Sequence, residues 1–217
     1  TGTELWNHHP PPEWDGESGS FVDRMSVAGP PVIAASRVIV PVYRMYGRIE
    51  LYAACFDLVN GELLWSTQLV SGQRELNMFA RSEKEFSAPP VRVEKDRVVV
   101  ATQLGAVAVL DLFSGRILWE TLYDPIVPPR RSHFSAQPIN NVWRNAPPVV
   151  ADGVVLVTPF DSRNLLGFDL ETGEELWSLR HDRIERIAGQ ARSGIDILLG
   201  ADNSTVFLGS WPVLALR

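Results

Sequence analysis

The chain is poor in the residues that would announce a chemistry. It has one cysteine, Cys55, in 217 residues. A single thiol excludes an internal disulfide and a cysteine-based zinc site, and it leaves the redox compartment open. No apolar run approaches the ~18 residues that a membrane helix needs. Positive charge is not in excess. The formal net charge is -6, which argues against loose electrostatic attachment to nucleic acid or to an anionic membrane surface. The first residues show no basic stretch followed by an apolar one, so no signal peptide is visible, and a secreted parent would already have lost it. What remains is ordinary: 45% hydrophobic and 21% charged residues, a globular balance at a length that supports one or two domains and a sizeable core.

What is abundant is repetition. "FDLVNGELLW", "LDLFSGRILW" and "FDLETGEELW" share Asp-x-x-x-Gly-x-x-x-Trp, and the chain opens on a fragment of the same phrase, "TGTELW". The glycines are Gly2, Gly61, Gly115 and Gly173, and the tryptophans are Trp6, Trp65, Trp119 and Trp177. A repeat of this length points to a propeller or a helical array. The interior decides. Arg97–Thr102 is rich in β-branched residues, Gln103–Gly105 reads as a turn, "AVAVLD" as a strand, "LFSG" as a turn and "RILWET" as a strand. "GPPV" at 29–32 and "APPV" at 88–91 and 146–149 precede each copy. Proline cannot donate to a ladder, so Pro-Pro belongs at a strand start or an edge. Each unit therefore predicts four antiparallel strands, and no 3.6-residue period competes. The fold class expected is all-β: a β-propeller of four-stranded antiparallel blades, about four in this chain.

The motif suits a hairpin. Asp57, Asp111 and Asp169 end a strand, where a carboxylate accepts N–H groups of the turn. The glycines supply positive φ, and the Asn, Ser or Thr before each can bond locally. The tryptophan offers a flat face to the next blade and an indole N–H for a backbone carbonyl.

With those residues in view, the chain resembles the pyrroloquinoline-quinone (PQQ) repeat family, whose signature is A-x-D-x-x-T-G-x-x-x-W; "GFDLETGEELW" is the nearest copy. The family includes quinoprotein alcohol dehydrogenases and the BamB-type outer-membrane assembly lipoprotein. WD40, the rival propeller family, is rejected: Trp14-Asp15 occurs once, outside the repeat, with no Gly-His partner. The resemblance implies either a non-catalytic propeller that binds a protein or peptide, in the periplasm or cell envelope, or a dehydrogenase fragment that uses PQQ and calcium. The vicinal cysteine pair of many such enzymes is absent, and no calcium ligand or base can be matched residue by residue. No catalytic residue, metal ligand or cofactor is therefore assigned.

Expected boundaries are an outer strand at 1–6, blades at 28–70, 87–123 and 145–180, and a partial blade at 187–217. The two ends complement each other. Three arrangements follow: a closed four-blade ring stitched from both ends, a segment of a larger seven- or eight-blade propeller, or a half-ring that needs a second copy or chain. The larger propeller is favoured, because open sheet edges must pair with something.

The connections between copies, 24, 24 and 28 residues from Trp to Pro, are long enough to carry function. The first holds His8, His9, Glu13 and Asp15, a weak metal set because adjacent histidines rarely converge on one ion. The second allows a short surface helix at Arg74–Arg81, with solvated charge as the plain reading. The third joins Arg130, Arg131, His133, Asn140, Asn141, Trp143 and Arg144. Guanidinium forks, amides and an indole there could hold a planar anion, or satisfy loop carbonyls and acidic neighbours. After Trp177, "RHDRIERIAGQAR" allows two helical turns.

Overall fold

A computed structural model describes residues 2–8, 20–45, 48–72, 86–126, 142–189, 195–202, 204–209 and 213–217. A 3-10 turn at Val22–Arg24 leads into the first sheet. That sheet contains β1 (Ser26–Val27), β2 (Val32–Ala34), β3 (Arg37–Met45), β4 (Ile49–Asp57) and β5 (Leu63–Gly72). The second blade is β6 (Arg92–Glu94), β7 (Arg97–Ala101), β8 (Ala106–Asp111) and β9 (Ile117–Leu122). The third is β10 (Val149–Ala151), β11 (Val154–Val157), β12 (Asn164–Asp169) and β13 (Glu175–Arg180), followed by α1 (His181–Ala188). The fourth has three strands among the described residues: β14 (Ile197–Asp202), β15 (Thr205–Gly209) and β16 (Leu214–Leu216). All pairings are antiparallel between neighbours in sequence, except that β1 joins β3 beside β2. Blade meets blade in order through their innermost strands, β2 to β6, β6 to β10 and β10 to β14. Among the described residues the arc of four sheets does not close.

The burial of each strand follows its place in the blade. The middle strands β7 and β8 are buried on both faces because a neighbouring blade covers each side, so they read as unbroken apolar runs. The outermost strand β9 alternates, with Trp119 buried between exposed Leu118 and Glu120. The core accordingly lies between blades. One cluster joins Ile39, Leu51 and Cys55 of blade 1 to Val98, Val100 and Leu110 of blade 2. A second joins blades 2 and 3 through Val99, Val107, Val155 and Phe168. A third joins blade 3 to blade 4 through Leu156, Leu165, Leu198 and Leu208. The other face of blade 1 is covered from its own connection, where Phe21 packs edge-on to Tyr52.

The topology sorts the turns onto two ends of the blades. The motif hairpins β4–β5, β8–β9 and β12–β13 share one end with the tight first turns β2–β3, β6–β7 and β10–β11. The turns β3–β4, β7–β8 and β11–β12, and both ends of every long connection, lie at the opposite end.

Candidate functional site

The repeat builds a docking slot between blades. Within each hairpin the aspartate holds its own turn. Asp57 Oδ1 accepts the N–H groups of Val59 and Asn60 at 2.8 and 3.0 Å. Asp111 does the same for Phe113 and Ser114, and Asp169 for Glu171 and Thr172. Bonding to the charged form holds all three carboxyls below the usual aspartate range: the Asn60 amide leads at Asp57, the Ser114 hydroxyl at Asp111 and the Thr172 amide at Asp169. Gly61, Gly115 and Gly173 have φ of +72°, +69° and +74°.

The tryptophan of the preceding blade lies on that glycine. A Cβ on Gly115 would come within 2.5 Å of the Trp65 ring, and Gly61 under Trp6 and Gly173 under Trp119 are equally tight. The indole N–H then donates to the leucine after the aspartate: Trp6 to Leu58 O at 3.0 Å, Trp65 to Leu112 O at 3.0 Å and Trp119 to Leu170 O at 2.9 Å. The N–H of each leucine donates back to its own blade's first turn, at Ser36, Asp96 and Gly153. The backbone of one leucine therefore ties two blades and two hairpins together.

Two residues beyond the tryptophan, a side chain bonds the glycine carbonyl. Thr67 donates to Gly115 O at 2.6 Å and Thr121 to Gly173 O at 2.7 Å. His8 stands at the same position, with Nε2 2.8 Å from Gly61 O. This weak metal candidate thus completes a blade contact, while His9, Glu13 and Asp15 lie outside the described residues. A bulge turns each tryptophan toward its slot. Register shifts after Cys55, Val109 and Gly167 leave Leu64, Leu118 and Leu176 unpaired, and a bulge adds local twist.

The slot position of the first strand pair varies. The Arg37 guanidinium sits 4.7 Å from the centre of the Phe113 ring, whereas Arg97 pairs with Glu171 of the next hairpin. The equivalent residue in blade 3 is Val154, and it lines an open groove. That groove has a volume of about 360 Å³ and lies between blades 3 and 4, walled by Trp177, Leu179, Leu165, Val206, Leu216 and Arg217 among others. Trp177 is 37% exposed, against 9% for Trp65 and 8% for Trp119. Among the described residues no hairpin stands beside it, and its ring lies over Gly167 on its own sheet.

A polar cluster holds the opposite end of blades 2 and 3. Asp161 accepts the Tyr123 hydroxyl at 2.6 Å and the Gly105 N–H at 2.9 Å. Gln103, at φ +60°, accepts the Phe160 N–H at 2.5 Å and donates to Asn145 at 3.1 Å; Asn145 donates on to Ser87. Burial pushes the Asp161 carboxyl up and, with the Asp161 charge beside it, the Tyr123 hydroxyl well up. Both stems of the third long connection, residues 123–126 and 142–146, are fixed here.

Of the anion-site candidates, Arg130, Arg131, His133, Asn140 and Asn141 lie outside the described residues, as does the segment Arg74–Arg81. Trp143 is 1% exposed, in the core between blades 3 and 4, edge-on to His181 at 4.9 Å. Arg144 binds Asp196 through its side chain at 2.7 Å and its backbone N–H at 2.6 Å. The basic segment after Trp177 forms α1, with His181 and Ile184 buried. The described residues contain no group of three or more His, Cys, Asp or Glu able to hold a metal ion. No helix among them is long and apolar enough to cross a membrane.

The family described as outer membrane protein assembly factor BamB matches residues 50–217. The chain belongs to this PQQ-like propeller family. Among solved structures, BamB from Moraxella catarrhalis is 17% identical with a TM-score of 0.51, over 88% of this chain and 46% of that one. The computationally designed Ika4 protein is 14% identical with a TM-score of 0.50, over 100% of this chain and 98% of that one. A looser likeness, TM-score 0.43 and 19% identity, is to the quinohemoprotein alcohol dehydrogenase of Comamonas testosteroni, over 71% of this chain and 21% of that one. No curated protein matches the sequence. The chain spans about half the length of the BamB structure. At these identities the likenesses to BamB and Ika4 show the fold alone.

Proposed function

We propose that this chain is a non-catalytic PQQ-like propeller segment that binds or scaffolds a protein or peptide partner, as part of a larger protein of the periplasm or cell envelope. One observation carries the reading: the three motif aspartates, Gly61, Gly115 and Gly173, and the first three tryptophans are all engaged in holding hairpin to hairpin and blade to blade. The repeated chemistry is thus architecture, and what varies is the end that carries the long connections. A rigid disc with variable loops is suited to docking a polypeptide. Membership of the BamB family supports the compartment and the protein partner proposed.

The competing reading is a fragment of a quinoprotein dehydrogenase, and one titration separates the two. PQQ with calcium is added to the 217-residue chain while melting temperature and quinone absorbance are followed. Tight binding would stabilise the fold by linkage. An unchanged melting curve is expected; a raised one with bound quinone absorbance would overturn the scaffold reading. In the cell, a photo-crosslinking residue at Phe160, exposed at the connection end, is expected to give a discrete protein adduct. The same residue at Val59, on a motif hairpin, is expected to give none.

A further inference from the structure

The polar residues at the connection end do not all serve the fold. An open groove of about 350 Å³ lies there, between the exit of blade 2 and the second turn of blade 3. Asp124, Pro125 and Ile126 line it from blade 2, and Ser162, Arg163 and Arg180 from blade 3. Backbone bonds set its walls. The Ile126 N–H donates to Asp161 O at 2.6 Å, the Ser162 N–H to Pro159 O at 3.0 Å and the His181 N–H to Arg163 O at 2.9 Å. Asn164 pairs with Arg180 in the β12–β13 ladder, so the two arginines leave the sheet from neighbouring strands at the same end.

Two observations say what the groove takes. The first is unmatched positive charge. Arg92, Arg97 and Arg144 each pair with a carboxylate, whereas the exposed Arg163 pairs with none among the described residues. Arg180 shares Asp182 with Arg186, at 3.0 and 3.3 Å, so one carboxylate serves two guanidiniums. Among the described residues Asp124 is the one acid in the groove wall, against two arginines, in a chain whose net charge is -6. The second is a buried donor. Ser162 is 2% exposed. Its Oγ accepts the Asn164 N–H at 3.2 Å, and its own proton has no acceptor among the described residues. A buried hydroxyl in that position is completed by an acceptor within the groove.

We propose that this groove docks an acidic peptide segment of the partner, with carboxylates on Arg163 and Arg180 and an apolar side chain against Pro125 and Ile126. Guanidinium forks match carboxylates in two-point contacts, and walls held by backbone bonds lose little freedom on binding. The inference rests on the protein-binding role proposed above and names the chemistry of the partner.

Fluorescence anisotropy on the 217-residue chain tests it, with a blocked, labelled peptide alternating glutamate and leucine as the probe. Saturable binding is expected, and it should weaken as salt rises. The same peptide with glutamine for glutamate should bind about tenfold less tightly or worse, and the glutamate peptide should lose as much on Arg163→Gln/Arg180→Gln. Both arginines are exposed, and it is the carbonyl of Arg163, not its side chain, that holds the start of α1, so the double variant should melt close to the parent. No binding of the glutamate peptide, equal binding of the two peptides, or unchanged binding in the double variant overturns the proposal. Inorganic phosphate that raises the melting temperature of the parent alone, with no peptide bound, assigns the groove to a small anion and overturns it too. A crosslinking residue at Phe160, on the same turn as Arg163, separates this proposal from the role on which it rests. Its adduct should be lost in the double variant. An adduct that persists there overturns the groove and leaves the protein-binding role; no adduct in the parent, with no peptide bound, overturns both.

Discussion

The imidazole of His8 and the carbonyl of Gly61 meet at 2.8 Å, and the contact is the one Thr67 makes with Gly115 and Thr121 with Gly173. A ring and a hydroxyl do the same work because both place a polar atom about one strand step past the tryptophan. His8→Thr should therefore be close to neutral in melting temperature. His8→Ala should lose the bond and the ring packing on Phe56, a loss of about 1 kcal/mol, read as a small fall in urea midpoint.

The glycines under the tryptophans should be far less tolerant than glycines elsewhere. Gly115 and Gly153 both have positive φ, +69° and +77°, but a Cβ at Gly153 meets nothing within 4 Å while one at Gly115 meets the Trp65 ring at 2.5 Å. Gly153→Ala carries only the backbone strain, about 1 kcal/mol. Gly115→Ala adds displacement of a buried indole and should cost roughly 3 kcal/mol or more. Paired chemical denaturation of the two variants checks the difference.

Trp119 supplies both packing and the bond to Leu170 O. Trp119→Phe keeps most of the apolar contact and leaves that carbonyl without its donor, a cost of about 1–3 kcal/mol. Trp119→Leu also opens a void between blades 2 and 3 and should cost more. Thermal melts of both variants, with near-ultraviolet circular dichroism to confirm the fold, give the order.

Much of this architecture is legible in the sequence, because a hairpin states its needs locally. Asp57, Gly61 and Trp65 each have a chemical reason to sit where they do, and three copies make the pattern plain. The strand interiors Arg97–Ala101 and Ala106–Asp111 fall where β-branched and apolar runs place them. Less visible was the leucine of "DL" in every copy. Its backbone, not its side chain, takes the indole bond, and a backbone role leaves little mark on residue type. The bulges at Leu64, Leu118 and Leu176 escaped for a similar reason: an unpaired residue shows only as a leucine on an exposed strand face. The metal-binding chemistry of His8 does not reveal its role, whereas its position two residues past Trp6 does. The strand β1 is two residues long and has no pattern to read. The polar cluster at Asp161 draws on residues from Ser87 to Asp161, and no local spacing joins them.

The dependence of stability on pH should have two opposing sources. Asp57, Asp111 and Asp169 lie below the ordinary aspartate value of 3.8. Their contribution is complete above 3.8 and is lost as pH falls through the lower folded values. Asp161 is raised by burial, so its contribution has the other sign: it is complete below 3.8 and is lost as pH rises through the raised value. An amide at 161 does not ionise, and it can still accept the Gly105 N–H while its Nδ2 donates to the Tyr123 oxygen. Asp161→Asn should therefore hold its stability as pH rises above 3.8, whereas Asp111→Asn should flatten the acid side below it. Asp161→Ala leaves the Gly105 N–H and the Tyr123 hydroxyl without partners and should cost about 2–3 kcal/mol at neutral pH. Melting curves from pH 2 to 8 on the three variants read each limb separately. A parallel loss in Asp161→Asn and Asp161→Ala would show that packing, not the carboxylate, holds the cluster.

The one thiol gives a clock for opening of the blade 1–blade 2 seam. Cys55 is fully buried opposite Trp65, and burial pushes its thiol up to about 11. The thiolate is the reactive form, so both access and ionisation oppose modification. In the folded protein a disulfide reagent should react with Cys55 only as fast as the seam opens, and the rate should rise in step with urea-induced unfolding. Trp65→Phe weakens the cover over the thiol and removes the bond to Leu112 O, so it should speed labelling several-fold at zero denaturant. If Cys55 labels in the parent at the rate of an unfolded peptide, the blades are not packed as described. If Trp65→Phe lowers the urea midpoint and leaves the labelling rate unchanged, the seam is not the route by which the reagent enters.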